Sequence, residues 1–174
     1  MQEKLSIIGA GISGVGAAIL ASQHNYNVFV SDSKAIKASD KSNFDHYNIS
    51  WEENGHTSSK ILSSDLIIKS PGISDNTDIM TEIYNKNIQI ISEIEFASRF
   101  TSAKIIAITG TNGKTTTSLL ISKILDNAGF DVLLAGNIGN SFAYSLSERD
   151  YDYIVLEISS FQLDNIVDFK PYIS

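Results

Sequence analysis

The sequence predicts an α/β fold in which a Rossmann-like N-terminal domain is followed by the first part of a P-loop α/β domain. Two segments carry this prediction. Near residue 5 and again near residue 105, a short apolar run leads into a glycine turn and then into a stretch with helical periodicity. This order is typical of parallel sheets that bind ligands at the carboxyl ends of their strands. We place the first domain at residues 1–92 and the second, expected to be truncated, at residues 93–174.

The N-terminal segment has the pattern of a nucleotide-binding unit. A strand at residues 5–8 precedes a Gly-x-Gly-x-x-Gly turn at residues 9–14, and a helix follows. Four residues fall on one face of that helix: Val15, Ala18, Ile19 and Ser22. A second strand, at residues 28–30, leads to Asp32, an acid that can accept hydrogen bonds from ribose hydroxyls. The same fingerprint serves flavin and nicotinamide enzymes, and also folds that borrow only the architecture.

The rest of the first domain is less regular. Residues 34–60 are polar, and we predict loops there with one short helix near residues 43–47. His46, Trp51 and His56 are expected to be surface or packing residues, because no partner ligands recur at metal-site spacing. A strand at residues 65–69 ends in the rigid turn Ser70-Pro71-Gly72, where open α/β sheets place ligands. We further predict a helix at residues 79–85, a strand at residues 88–91 and a short helix at residues 92–100 that connects the two domains.

The second domain opens with a candidate phosphate-binding loop. Residues 105–108 are apolar and β-branched, as expected of a strand buried on both faces. The loop that follows is Gly110, Thr111, Asn112, Gly113, Lys114, Thr115 and Thr116. Its amides and the helix N-terminus would face an anion, Lys114 adds positive charge, and the Thr115 hydroxyl can ligate magnesium. In the usual Gly-x-x-x-x-Gly-Lys-Ser/Thr spacing the first glycine would stand at Ile108, so an ordinary turn with a solvated lysine is the alternative.

The helix after this loop carries an apolar stripe, and Gly129 stands where its C-terminal cap is expected. The stripe consists of Leu120, Ile121, Ile124, Leu125 and Ala128. A strand at residues 132–134 then precedes Asn137, which lies between two glycines. Its amide could face a substrate, or it could be a turn residue that tolerates an unusual backbone angle, and the two roles can coexist.

The strand at residues 153–157 ends in Glu157, which is well placed to bind magnesium directly or through water; the alternative is a solvated acid. Ser159 and Gln162 follow on the same rim and offer uncharged hydrogen-bonding groups. Residues 170–174 resemble the entry to another strand. A P-loop sheet that stops there is not expected to be a complete enzyme.

Composition excludes several classes of protein. The chain has 174 residues and no cysteine, so a disulfide framework or a thiolate metal site is ruled out and a cytoplasmic location is expected. It contains neither a signal-peptide pattern nor an apolar run long enough to span a bilayer, so no membrane insertion is expected. A formal net charge of -7 argues against a nucleic-acid partner, because phosphate-backbone affinity depends on clustered Lys and Arg.

Three stretches together resemble the Mur ligases of peptidoglycan synthesis: residues 110–116, 136–139 and 156–163. The short phosphate loop is shared with folylpolyglutamate synthases, so by itself it indicates only the superfamily. The Ser-Ser-Phe-Gln-Leu stretch at 159–163 narrows the resemblance, as does the N-terminal glycine turn followed by Ser70-Pro71-Gly72. Within the family, the sequence is similar to the branch that adds D-glutamate.

The resemblance implies an ATP-dependent carboxylate-amine ligase that joins D-glutamate to UDP-N-acetylmuramoyl-L-alanine through an acyl phosphate, with ATP and Mg²⁺ as cofactors. Residues 110–116 would bind ATP, Lys114 and Glu157 would be catalytic, and Thr115 and Glu157 would hold the metal. The implied substrate residues are Ile12, Ser13, Asp32, Ser33, Lys34, Ser70, Pro71, Gly72, Asn137, Ser159 and Gln162. The full-length enzyme would be a monomer. Because other parts of the family's active site would lie beyond Ser174, we expect this polypeptide by itself to be inactive.

Two other functions remain open at this level. A nicotinamide or flavin oxidoreductase would use the N-terminal turn and Asp32, but it leaves Lys114 and Glu157 unexplained. A non-catalytic module that captures UDP-sugars is the other alternative.

Overall fold

In the computed structural model, which describes residues 2–174, the chain forms two parallel sheets flanked by helices. The strands are β1 (Lys4–Ile8), β2 (Asn27–Ser31), β3 (Ser50–Glu52), β4 (Leu66–Lys69), β5 (Gln89–Ile91), β6 (Lys104–Ile108), β7 (Val132–Gly136) and β8 (Tyr153–Glu157). The helices are α1 (Ile12–Gln23), α2 (Ala38–His46), α3 (Ser58–Ile61), α4 (Asp78–Asn85), α5 (Glu93–Ser98), α6 (Lys114–Asn127), α7 (Phe142–Glu148) and α8 (Ser160–Leu163). The predicted α/β class is confirmed. The domain boundary at residues 92 and 93 stays a prediction.

The first sheet has the strand order β3-β2-β1-β4-β5, and all of its pairings are parallel. Apolar residues cover both of its faces. Ile7 and Ile68 point into a cluster with α1, whereas Ile8 and Ile67 point into a second cluster with α4. The carboxyl ends of β1, β2 and β4 therefore meet at one edge of a well-packed sheet.

The two units pack against each other through α1, α5 and α7. One apolar cluster runs through both of them and includes Ile7 of β1, Ala18 of α1, Phe96 of α5, Phe142 of α7 and Ile154 of β8. The helix α5 begins at a Ser92 cap, whose hydroxyl accepts a hydrogen bond from the Glu95 backbone N–H at 3.1 Å. The connecting helix expected at residues 92–100 is confirmed.

The second sheet has the order β6-β8-β7, which leaves β6 at an edge. The expectation that this strand is buried on both faces is wrong for its second half: Ile105 and Ile106 are buried, but Ala107 and Ile108 are half-exposed. Beyond β6, the Tyr172 N–H donates to the Ile105 carbonyl at 2.8 Å. Ile173 pairs in parallel with Ile106, as expected if a strand begins there.

The apolar stripe on α6 is present but remains largely uncovered. Leu120 is 59% exposed and Ile124 is 57% exposed, while Ile121 and Leu125 are half-buried. The helix ends as predicted, with Gly129 in the left-handed region at φ +88° just after the cap residue Ala128. Three strands do not cover this helix, so helical periodicity predicted the stripe correctly but not its burial.

Four elements were not predicted: β3, α3, α7 and α8. The short helix expected at residues 43–47 is longer, since α2 begins at Ala38. Polar residues dominate most of these segments, and β3 and α3 have only three and four residues, too few to show a period. Within residues 2–174, every helix is too short or too polar to cross a membrane.

Candidate functional site

The first part of the site is the tight glycine turn after β1. Gly9 lies in the left-handed region at φ +98°, and its N–H donates to the Ser31 carbonyl at 2.9 Å. A Cβ atom at Gly14 would stand 1.9 Å from the Gly9 carbonyl oxygen, so helix α1 can start this close to the turn because residue 14 has no side chain. The Ser70 hydroxyl donates to the same carbonyl at 3.1 Å and brings the end of β4 to the turn.

Asp32 lies beside this turn, as the sequence predicted. Its Oδ2 accepts from the Ala10 N–H at 2.6 Å, and its Oδ1 accepts from the Lys34 N–H at 2.8 Å. Each carboxylate oxygen has further capacity to accept a ligand hydroxyl. The carboxylate is thus fixed by the backbone at the edge where a nucleotide would approach.

A cleft of 550 Å³ opens next to Asp32 at the carboxyl ends of the first sheet. Ser33, Lys34 and Gly72 line it together with His56, whose Nδ1 lies 2.7 Å from the Ser31 hydroxyl. Ile12 is 72% exposed at the start of α1. The structure therefore gathers the predicted residues of the first unit around one cleft and one turn, with half-buried Pro71 in the adjoining loop.

The second part of the site is the loop between β6 and α6. Gly110 and Gly113 take φ values of +138° and +78°, which favour glycine. Lys114 is the first residue of α6, and its Nζ donates to the Gly110 carbonyl at 2.6 Å. Thr111 and Asn112 are exposed between them. Backbone N–H groups and a helix N-terminus with a lysine at its start form an anion-binding arrangement.

Glu157 connects this loop to the one after β7. The side chain is 1% exposed, so the alternative of a solvated strand-end acid is wrong. Its Oε2 accepts from the Thr115 hydroxyl at 2.9 Å, and its Oε1 accepts from the Asn137 Nδ2 at 3.0 Å. The left-handed angles of the second loop fall on Gly136 and Gly139, so Asn137 is not there to tolerate one. The two predicted metal ligands are therefore adjacent.

Ser159 and Gln162 lie next to Glu157 in sequence and form the cap of α8. The Gln162 Oε1 accepts from the Ser159 N–H at 3.0 Å and from its hydroxyl at 3.1 Å. Gln162 is buried, so its amide oxygen is already engaged within the chain. Direct contact of these two residues with a substrate stays a prediction.

Glu93 is a functional candidate that the sequence analysis missed. It is 3% exposed, and its Oε1 accepts from the Ser141 hydroxyl at 2.7 Å and the Ala143 N–H at 2.8 Å. Burial raises the pKa of this carboxyl group, against the lowering effect of these hydrogen bonds. In the sequence it is one of two acids in the first turn of a short helix, where acidic residues are common, so no local signal marked it.

Two family models match the chain and together cover most of it. The model of the MurD N-terminal domain matches residues 4–79, and that of the Mur ligase middle domain matches residues 108–173. The chain belongs to the Mur ligase family. The first match contains the glycine turn, Asp32 and Ser70, and the second contains the Lys114 loop and Glu157.

Curated relatives of this Mur ligase chain are named UDP-N-acetylmuramoylalanine--D-glutamate ligase. The protein from Bacteroides fragilis is 49% identical over 173 residues, and that from Christiangramia forsetii is 47% identical over 174 residues. These alignments cover 99% and 100% of this chain, but in both cases 39% of the relative. The chain thus spans well under half the length of the relatives it matches.

Solved Mur ligase structures share the fold. A murein peptide ligase from Psychrobacter arcticus is 20% identical with a TM-score of 0.63, and the match covers 97% of this chain and 41% of that one. The UDP-N-acetylmuramate-alanine ligase of Thermotoga maritima is 18% identical with a TM-score of 0.56, over 90% of this chain and 37% of that one. At these identities the likeness concerns the fold.

Proposed function

We propose that this chain supplies the UDP-binding turn and the ATP-phosphate loop of a ligase that joins D-glutamate to UDP-N-acetylmuramoyl-L-alanine. The observation that carries the proposal is the contact between Thr115 and buried Glu157 directly behind the Lys114 loop. The printed name of the relatives supports this choice of substrates. A dinucleotide oxidoreductase would have no use for that contact.

The chemistry of such a ligase begins with a charge problem. A substrate carboxylate must attack the γ-phosphoryl group of ATP, which gives an acyl phosphate and ADP, and the amine of D-glutamate then displaces phosphate. Both partners of the first step are anions, so fixed positive potential is the main requirement. Lys114, the loop N–H groups and the N-terminus of α6 provide it in a preorganised arrangement.

Magnesium fits the residues that are present. The Thr115 hydroxyl and the Glu157 carboxylate are oxygen ligands of the kind Mg²⁺ prefers, and the ion usually takes its other ligands from phosphate oxygens and water. Among residues 2–174 no cluster of three acidic or histidine side chains could hold a metal without such help. When bound, the ion would neutralise charge on the phosphates.

The first unit would hold the UDP moiety. The turn at residues 9–14 offers backbone N–H groups at the start of α1 to the diphosphate, and Asp32 can accept from the ribose. The cleft lined by Ser33, Lys34 and Gly72 would take the base. Asn137, Ser159 and Gln162 lie on the rim of the second unit, and we assign them to the muramoyl end.

Binding of UDP to residues 1–174 tests this assignment. We expect saturable UDP binding by calorimetry and at least about tenfold weaker binding by Asp32→Ala, because a fixed hydrogen-bond acceptor is removed. Asp40→Ala, in the first turn of α2 and outside the lining of the cleft, is the matched control and should bind like the wild type. Equal UDP affinity in Asp32→Ala, or saturable NADH binding without UDP binding, would contradict the proposal.

We also propose that residues 1–174 alone do not catalyse the ligation, since the match covers only 39% of the length of the relatives. An assay of phosphate release with ATP, D-glutamate and UDP-N-acetylmuramoyl-L-alanine should stay at background. Phosphate release above background would contradict this proposal, because it would show that residues 1–174 suffice for catalysis.

A further inference from the structure

Glu93, the first residue of α5, lies buried where the two units meet. On one side lie the Ser141 hydroxyl at 2.7 Å and the Ala143 N–H at 2.8 Å, with the Phe142 N–H beside them, all at the start of α7. On the other side the Ser13 hydroxyl, in the first turn of α1, faces the same carboxylate and lowers its pKa. One buried side chain, hydrogen-bonded to the second unit, therefore also faces the glycine turn of the first unit.

Every group that contacts this carboxylate is a donor. A neutral amide at the same place would turn its own NH₂ group toward some of these donors, and an alanine would leave them without an acceptor. Buried donors without partners are costly, so the arrangement depends on a carboxylate at residue 93.

Near Glu93, helices α1 and α7 are also in direct contact. A Cβ atom on Gly16 would lie 2.2 Å from the Ser141 Oγ and 2.8 Å from the Tyr144 backbone nitrogen, so α1 rests directly on the backbone of α7. Ser141 in turn caps α7 by accepting from the Tyr144 N–H at 3.1 Å. Because the two helices are in direct contact, a shift of the α1 N-terminus must also move the start of α7.

The residues on either side of Glu93 adjoin the two proposed ligand sites. Ser13 belongs to the turn assigned to UDP, and Ser141 follows the loop whose Asn137 side chain binds Glu157. We infer that Glu93 is a positioning residue that couples the two sites, so that UDP bound at the turn orders the Asn137 loop. The inference rests on the proposed role of the turn in UDP binding.

Hydrogen exchange read by mass spectrometry, with UDP as the probe, tests this coupling on the chain itself. UDP lacks the muramoyl group, so its direct contacts are confined to the first unit. In the wild type we expect UDP to slow exchange at residues 9–16 and also, by about fivefold or more, at residues 137–148. In Glu93→Gln the response at 9–16 should persist and the response at 137–148 should disappear.

The control is Glu95→Gln, which alters the other buried acid of α5. Glu95 contacts Arg99 and the backbone N–H groups of Val167, Asp168 and Phe169, so it should leave both responses in place. If Glu93→Gln does not fold, Ser141→Ala breaks the same link at one end and should weaken the response at 137–148.

The possible failures are distinguishable. No response at residues 9–16 in the wild type would overturn the UDP assignment and the coupling with it. A response at 9–16 without one at 137–148 would overturn the coupling and leave the UDP assignment standing. The coupling would also be overturned if Glu93→Gln, or Ser141→Ala in its place, kept the full response at 137–148.

Discussion

The two strand–turn–helix units of this chain follow the same plan, yet they bury very different amounts of apolar surface. In the first, α1 lies on a five-stranded sheet and residues 14–21 are all buried. In the second, α6 lies on three strands, and within that helix only Ser118 is buried. The plan sets where the glycine turn and the ligand site form, whereas burial of the helix depends on what covers its other side. Helix α1 lies between its sheet and helices α5 and α7, but α6 contacts mainly the three strands.

The comparison predicts losses of very different size for an isoleucine-to-alanine substitution in the two units. Ile68→Ala removes a fully buried side chain from the first sheet and should lower the free energy of unfolding by about 2–5 kcal/mol. Ile124→Ala, on the exposed stripe of α6, should change it by no more than about 0.5 kcal/mol. Urea denaturation measures both. Similar losses in the two variants would mean that α6 is covered in solution.

The tight turn of the first unit gives a second contrast. Gly14→Ala places a Cβ atom against the Gly9 carbonyl and should cost roughly 1–3 kcal/mol, as overpacking does. Gly11, at the N-cap of α1, has nothing within 4 Å of an added Cβ atom and an ordinary φ of -77°. Gly11→Ala should change the free energy of unfolding by no more than about 0.5 kcal/mol, because the poorer cap and the restricted unfolded chain oppose each other. If the two variants unfold at the same urea concentration, the close approach of α1 to the turn is not a feature of the protein in solution.

The two buried acids of α5 predict pH effects of opposite sign. Burial tends to raise the pKa of Glu95, but hydrogen bonds from Val167, Phe169, Asp168 and Arg99 hold it below its ordinary value. Its contribution to stability is therefore full above the pKa of the unfolded chain and is lost as pH falls through the folded-state pKa. Urea denaturation at a series of pH values should show that the free energy of unfolding falls less steeply toward acid pH in Glu95→Gln than in the wild type.

Glu93, whose pKa is raised by burial, works in the opposite direction. Its contribution is full below the pKa of the unfolded chain and is lost as pH rises through the raised folded-state pKa. Glu93→Gln should therefore flatten the pH dependence of the free energy of unfolding at pH values just above the ordinary pKa of glutamate. An unchanged slope there would show that residue 93 does not change its proton affinity on folding.

The contrast also explains what the sequence could predict. Gly9, Gly113 and Thr115 were found because a turn, a positive φ and a hydroxyl beside a lysine are local requirements. Glu157 was found because four apolar residues precede it. The exposure of Ile124 and the role of Glu93 depend on which elements pack together, and neither leaves a local pattern.

The most direct test of the proposed site is a titration of Mg²⁺ with ATPγS into the wild type and Glu157→Ala, with UDP titrated separately into both. We predict saturable nucleotide binding by the wild type and at least about tenfold weaker binding by Glu157→Ala, because the carboxylate that faces Thr115 is lost. UDP affinity should be the same in both proteins. Equal ATPγS affinity in the two proteins would contradict the assignment of Thr115 and Glu157 to a magnesium–phosphate site.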